Sequence, residues 1–190
     1  MTTNATDQRL PAKPVQLAWG ARVSTAFAQV VFGICKEFGW GPQHASWLMA
    51  CMAFETGTTF SASVRNGAGS GAVGLIQFMP ATARGLGTTI EDLTRLSAEA
   101  QLGYVRSHFR PYARRIASLS DMYMAILLPK YIGQPEDAVL FSGGVAYRQN
   151  SGLDANRDGK VTKAEATARV ADMLKRGMQP GVFATYEAAT

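Results

Sequence analysis

A chain of 190 residues fits one domain, and a domain of that size buries roughly 70% of its unfolded surface, so it needs no covalent staple to form a core. With 47% hydrophobic and 17% charged residues and no apolar run long enough to cross a bilayer, the chain reads as globular, and a transmembrane segment is not expected. A net charge of +5 suits an anionic polymer, either a cell-wall glycan with acidic stems or a nucleic acid, and charge alone does not choose between them.

Residues 1 to about 20 mix Pro11, Pro14 and small polar side chains without periodicity, which predicts a flexible lead-in. No basic segment followed by an apolar one occurs there, so a secretory signal is not expected. Val23, Phe27, Val30, Val31, Ile34 and Phe38 recur at helical spacing and Gly39 offers a stop, predicting a core helix over 21–38. Cys35 and Cys51 both fall in apolar helical patterns and are expected to be buried free thiols.

Gly41-Pro42 opens the next helix, with proline at a position that needs no amide donor, and Trp47, Leu48, Cys51 and Phe54 make it apolar nearly all round. Gly57 is placed to cap it. Glu55 therefore sits in the last turn of a buried helix, where both desolvation and the negative end of the helix dipole disfavour its charged form. A carboxyl group that holds its proton near neutral pH is a candidate general acid. The bland alternative is a carboxylate that accepts backbone amides from the following loop.

Residues 56–71 are small, polar and glycine-rich, predicting a loop folded over the glutamate. Gly74-Leu-Ile-Gln-Phe78 follows, and Pro80 starts a short helix. Thr88 or Thr89 caps a turn over 90–93, and Ser97, with Glu99-Ala-Gln101, caps a helix through Phe109 whose inner face holds Leu102, Val105 and Phe109. Arg106, Arg110, Arg114 and Arg115 form either a solvated basic face or a patch for a polymer. Ser120-Asp121 is expected to cap a helix over 122–128, and 135–147 to form another.

Asp154-Ala-Asn-Arg-Asp-Gly-Lys-Val-Thr-Lys-Ala-Glu165 matches the EF-hand calcium-loop template over its full length. Asp154, Asn156 and Asp158 would give side-chain oxygens, Lys160 its carbonyl, Thr162 a direct or water-mediated contact, and Glu165 a bidentate carboxylate. Arg157, Lys160 and Lys163 add positive charge, and there is no second such loop to pair with. The loop is expected to hold a structural Ca²⁺ that fixes the C-terminal helix; no cofactor is expected for catalysis.

Glycosidic cleavage commonly uses two carboxylates, yet no Asp or Glu lies between Glu55 and Glu91. Later acids such as Asp121 remain candidates for a second. A lone acid suits a lytic transglycosylase, in which the sugar's own 6-hydroxyl closes on the anomeric carbon and no water is activated. Phe54-Glu-Thr56, together with Ser70-Gly-Ala-Val-Gly-Leu-Ile-Gln-Phe-Met-Pro-Ala-Thr-Ala83, resembles motifs of the soluble lytic transglycosylase and goose-type lysozyme superfamily, specifically its phage peptidoglycan-degrading members. The resemblance covers roughly residues 42–150 and implies a mainly α, lysozyme-like fold acting on peptidoglycan glycan strands.

It also implies that Glu55 is the acid/base, that Gln77 binds saccharide beside the cleavage point, and that Ser70 contacts a muramyl N-acetyl group. Gln77 has a second reading, that of satisfying loop carbonyls. The family's Ala-Tyr-Asn motif has only the partial copies Ala146-Tyr-Arg-Gln-Asn150 and Met122-Tyr-Met-Ala125, so the tyrosine bracing the acid is Tyr147 or Tyr123, with Tyr147 preferred. The expected organisation is a lead-in over 1–20, a catalytic domain over 21–150, the calcium loop and its exiting helix over 151–177, and a tail over 178–190. The expected protein is a phage-encoded monomer without a specific nucleic-acid partner. It would act from the host cytoplasm through a holin, or ride in the virion.

Overall fold

Ser24, Thr89, Ser97 and Ser118 each start a helix by accepting a backbone N–H three residues on with the side-chain oxygen, and prolines at 42 and 80 start two more. The computed structural model of the chain describes residues 14–67 and 69–187 and is mainly helical. Its helices are α1 (Thr25–Phe38), α2 (Pro42–Glu55), α3 (Pro80–Gly85), α4 (Ile90–Arg95), α5 (Ala98–Phe109), α6 (Leu119–Leu127), α7 (Gly144–Asn150) and α8 (Lys163–Gly177). Four short strands, β1 (Val15–Leu17), β2 (Val139–Ser142), β3 (Lys160–Thr162) and β4 (Ala184–Tyr186), form two antiparallel pairs, β1 with β4 and β2 with β3.

The chain divides into two compact units. The first takes residues 14–111 and 173–187, and the second takes 112–172. In the first, Phe27 and Val31 of α1, Leu48, Met49 and Met52 of α2, and Leu102, Val105 and Phe109 of α5 are buried around Phe60, Leu75 and Phe78.

Residues 15–17 and 184–186 form one strand pair. Val15 pairs with Tyr186 and Leu17 with Ala184, Leu17 is fully buried, and the Tyr186 ring meets Phe32 edge-on. Trp19 donates its indole N–H to the Met173 carbonyl, and Gly177 lies so close to that ring that a methyl group there would collide with it. Burial of Leu17 and Trp19 outweighs the polar composition around them. The part of the expected lead-in over 1–13 lies outside the described residues.

In the second unit α6 begins at Leu119, capped by Ser118 rather than Ser120, because the Ser118 oxygen reaches the Asp121 N–H. The helix expected over 135–147 is also corrected. Val139–Ser142 forms a strand against Lys160–Thr162, with Leu140 buried, and Gly143 and Gly144 at φ +62° and +64° delay helix α7 until Gly144. Lys163, expected to charge the surroundings of the loop, is instead buried: its ammonium lies 2.8 Å from Asp121 Oδ1 and donates to the Gln134 carbonyl.

Candidate functional site

Helix α2 ends in a Schellman motif. Thr58 N–H reaches the Ala53 carbonyl at 2.7 Å, Gly57 N–H the Phe54 carbonyl, and Gly57 takes φ +57° as its conformation demands. Glu55 is thereby fixed as the last helical residue, one turn above the fully buried Cys51. Its carboxyl group is half-buried, and burial pushes its pKa up to about 7. The helix dipole acts in the same direction.

Among the described residues the Glu55 carboxyl group has neither a hydrogen bond nor an ion pair, so no described loop amide bonds to it. The other acids described in this unit are engaged or lie apart in the chain: Glu37 pairs with Arg106 and Arg110, Asp92 with Arg95, and Glu99 accepts the Ser24 hydroxyl. No described carboxylate contributes to the shift at Glu55, which comes from burial. Asp121, considered for a second acid, is spent in its own unit on Lys163 and on the backbone amides of Gly133 and Ala117. The two cysteines are free and buried; burial lifts Cys35 to about 12, and burial followed by the charge of Glu55 raises Cys51.

The segment after Glu55 is a strained loop. Thr58, Phe60 and Gln77 are three non-glycine residues at positive φ, +71°, +51° and +50°, and such strain persists only where surrounding contacts over-determine it. The contacts are visible. Thr56 Oγ1 donates to the Met52 carbonyl and accepts the Phe60 N–H, and the Phe60 ring packs between Trp19 and Phe27. Arg65 bridges to Val73 and Val73 to Phe78, closing a tight turn over Gly74–Gln77.

Gln77 Nε2 donates to the carbonyls of Gly74 and Val64, so the amide nitrogen has the structural role and only Oε1 is left as an acceptor for a sugar hydroxyl or N–H. Ser70 is exposed, its hydroxyl accepting the Ala72 N–H at 3.3 Å. Tyr123 is buried within α6, and the Tyr147 hydroxyl donates to Asp154 Oδ2 at 2.7 Å. That bond ties the Tyr147 hydroxyl to the calcium-type loop.

The residue that reading the sequence missed is Gln101. It is fully buried in α5, accepts the Leu75 N–H with Oε1, and donates from Nε2 to the carbonyls of Ala62 and Leu93. A signal was available: Gln101, Val105 and Phe109 share one helical stripe, and a polar residue in an apolar stripe needs partners. Gly74 faces this carboxamide so closely that any side chain would overlap it.

In the loop over 154–165, Gly159 N–H and the Tyr147 hydroxyl meet Asp154 Oδ2, Asp158 N–H meets Asn156 Oδ1, Lys160 N–H meets Asp158 Oδ1, and Thr162 N–H meets Glu165 Oε2. The Tyr147 hydroxyl and loop amides hold the Asp154 carboxyl below the usual range, and Thr162 and loop amides do the same for Glu165. The donor set is all oxygen and Gly159 makes the required turn at φ +83°, chemistry that fits a hard cation. As placed here, no three of the described His, Cys, Asp and Glu side chains gather closely enough to hold a metal. No described helix is long and apolar enough to cross a membrane. No family model, curated protein or solved structure matches the chain.

Proposed function

We propose that this chain is a peptidoglycan lytic transglycosylase that cleaves the β-1,4 bond between N-acetylmuramic acid and N-acetylglucosamine, with Glu55 as sole acid and base. The observation that carries the reading is Glu55 itself: half-buried, its carboxyl group without a partner among the described residues and with a pKa of about 7. Such a group donates a proton to the leaving oxygen and, once ionised, accepts one from the C6 hydroxyl as that oxygen bonds to C1. The product is a 1,6-anhydro ring, and the leaving sugar departs with the proton Glu55 gave it. No water enters, and among the described residues no second carboxylate acts on Glu55.

The resemblance of Phe54-Glu-Thr56 and of residues 70–83 to the lytic transglycosylase and goose-type lysozyme superfamily supports the same assignment, with a lysozyme-like fold and a phage origin. Gln77 Oε1 and Ser70 are the groups assigned to the saccharide. Asp154, Asn156, Asp158, Lys160, Thr162 and Glu165 are the residues that would hold a structural Ca²⁺, whose chemistry is to neutralise three carboxylates and fix the start of α8.

Turbidity of permeabilised cells tests the enzyme reading. Wild-type protein clears them and Glu55→Gln does not. A wild type that clears nothing points instead to a non-catalytic wall-binding or virion module, and a Glu55→Gln variant that still clears removes Glu55 from the role.

A further inference from the structure

Arg65 and Gly71 of the loop, Pro80 and Arg84 of α3, and Thr89, Ile90 and Glu91 at the start of α4 line one open pocket of about 400 Å³. Neither guanidinium has a hydrogen bond or ion pair among the described residues, whereas Arg106 and Arg110 are tied to Glu37, Arg95 to Asp92, and Arg115 to the Ile132 carbonyl. The pocket belongs to the same rigid turn as Gln77. Arg65 bridges to Val73, and the carbonyl of the preceding Val64 accepts Gln77 Nε2. A long polymer held by Gln77 would therefore pass close to the two arginines.

We propose that this pocket binds the peptide stem of the glycan, so that the enzyme prefers stem-bearing strands to peptide-free ones. Arginine forks suit carboxylates, and two of them within one concave wall can hold one carboxylate or two neighbouring ones. Glu91 also lines the pocket, and Asp92, hydrogen-bonded by Thr89, is the next acid along α4. A polyphosphate chain would meet repulsion at Glu91. A stem peptide that carries carboxylates together with amide N–H groups or an ammonium satisfies both signs of charge. The inference rests on the glycan-cleaving reading of Glu55 and adds the part of the substrate that reading leaves open.

Two measurements test it, using the full chain and the variants Arg65→Gln, Arg84→Gln and the pair together. On purified strands with stems, the double variant should lose about tenfold in kcat/KM, the size expected for one charge-assisted contact, and on strands stripped by an amidase it should match wild type. An equal loss on both strands, or no loss on either, overturns the proposal while leaving Glu55 catalysis intact. The second measurement needs no turnover: calorimetric titration of Glu55→Gln protein with the free stem tetrapeptide. Binding should weaken about tenfold when both arginines are also replaced, whether or not the wild type cleaves. Absence of tetrapeptide binding, or binding insensitive to the arginines, overturns the pocket assignment, as does displacement by inorganic phosphate in preference to the peptide.

Discussion

Gln101 Oε1 accepts the backbone N–H of Leu75 at 2.7 Å, and through this bond helix α5 sets the position of the turn that carries Gln77. Its Nε2 donates at 3.0 Å to Ala62 and at 2.9 Å to Leu93, so one buried side chain ties together the loop after Glu55, the glycine turn and the end of α4. Gln101→Leu keeps the size but leaves the Leu75 N–H and the Ala62 carbonyl without partners, while the Leu93 carbonyl keeps the Leu96 N–H. At 1–3 kcal/mol for each group that cannot rebond, the expected loss is about 3 kcal/mol. Urea denaturation reads it directly; a loss under about 1 kcal/mol would show that the turn stands without Gln101.

Gly74→Ala should be at least as damaging. The backbone there has φ +78°, and a methyl group would overlap the Gln101 carboxamide. Both variants should lower activity more than their effect on melting temperature implies, because the turn moves before the core does.

The pH dependence of stability follows from Glu55. Burial raises its folded pKa to about 7 from an unfolded value near 4.5, so the folded state holds a proton that the unfolded state has released between those values. Stability therefore falls as pH rises from about 4.5 to 7, and the penalty is fully present above 7. Glu55→Gln removes the penalty: the variant should melt higher than wild type at pH 8, with the difference narrowing toward pH 4.5. A difference that is constant across this range would place the Glu55 carboxyl in an ordinary solvated setting.

Lys163 and Asp121 form a buried pair, and removing one partner strands the other. Lys163→Met should cost about 3–5 kcal/mol, and the double replacement Lys163→Met with Asp121→Asn, which removes the stranded charge but keeps an oxygen for the Gly133 amide, should recover part of it. Burial alone would raise the Asp121 pKa, but its hydrogen bonds from Lys163, Gly133 and Ala117 hold it lower. Its contribution is thus present above the ordinary carboxylate range and lost as pH falls through its depressed folded value. If the double replacement is as unstable as the single one, packing and not charge explains the site.

For the loop over 154–165, Ca²⁺ at about 100 times its dissociation constant should add about 2.7 kcal/mol, seen as a rise in melting temperature that Asp154→Ala abolishes. Calcium that leaves the melting temperature of wild type unchanged contradicts the metal assignment. Tyr147→Phe removes the hydroxyl bonded to Asp154 and should alter the calcium response.

Much of the fold was legible because it depends on neighbours in sequence. Thr89 and Ser97 cap helices from three residues away, Gly39 and Gly57 end them in the left-handed conformation, and Pro42 and Pro80 start them, whereas the helix expected from residue 21 begins at Thr25 behind a Ser24 cap that the apolar spacing does not show. The place of Glu55 at the end of its helix was legible for the same reason. What escaped depends on contacts between distant residues: Gln101 looks like part of a capping pattern until its partners 8, 26 and 39 residues away are known, and Lys163 looks like a solvated loop charge until Asp121, 42 residues away, meets it. The β1 and β4 strands are three residues each, too short to show a period, and their pairing comes from the two chain ends meeting.

The central claim is that Glu55 works alone and that the sugar supplies its own nucleophile. Mass spectrometry of peptidoglycan digested to completion tests it most directly. The expected products end in 1,6-anhydromuramic acid, lighter by one water than the hydrolytic product, and products ending in reducing muramic acid would contradict the account.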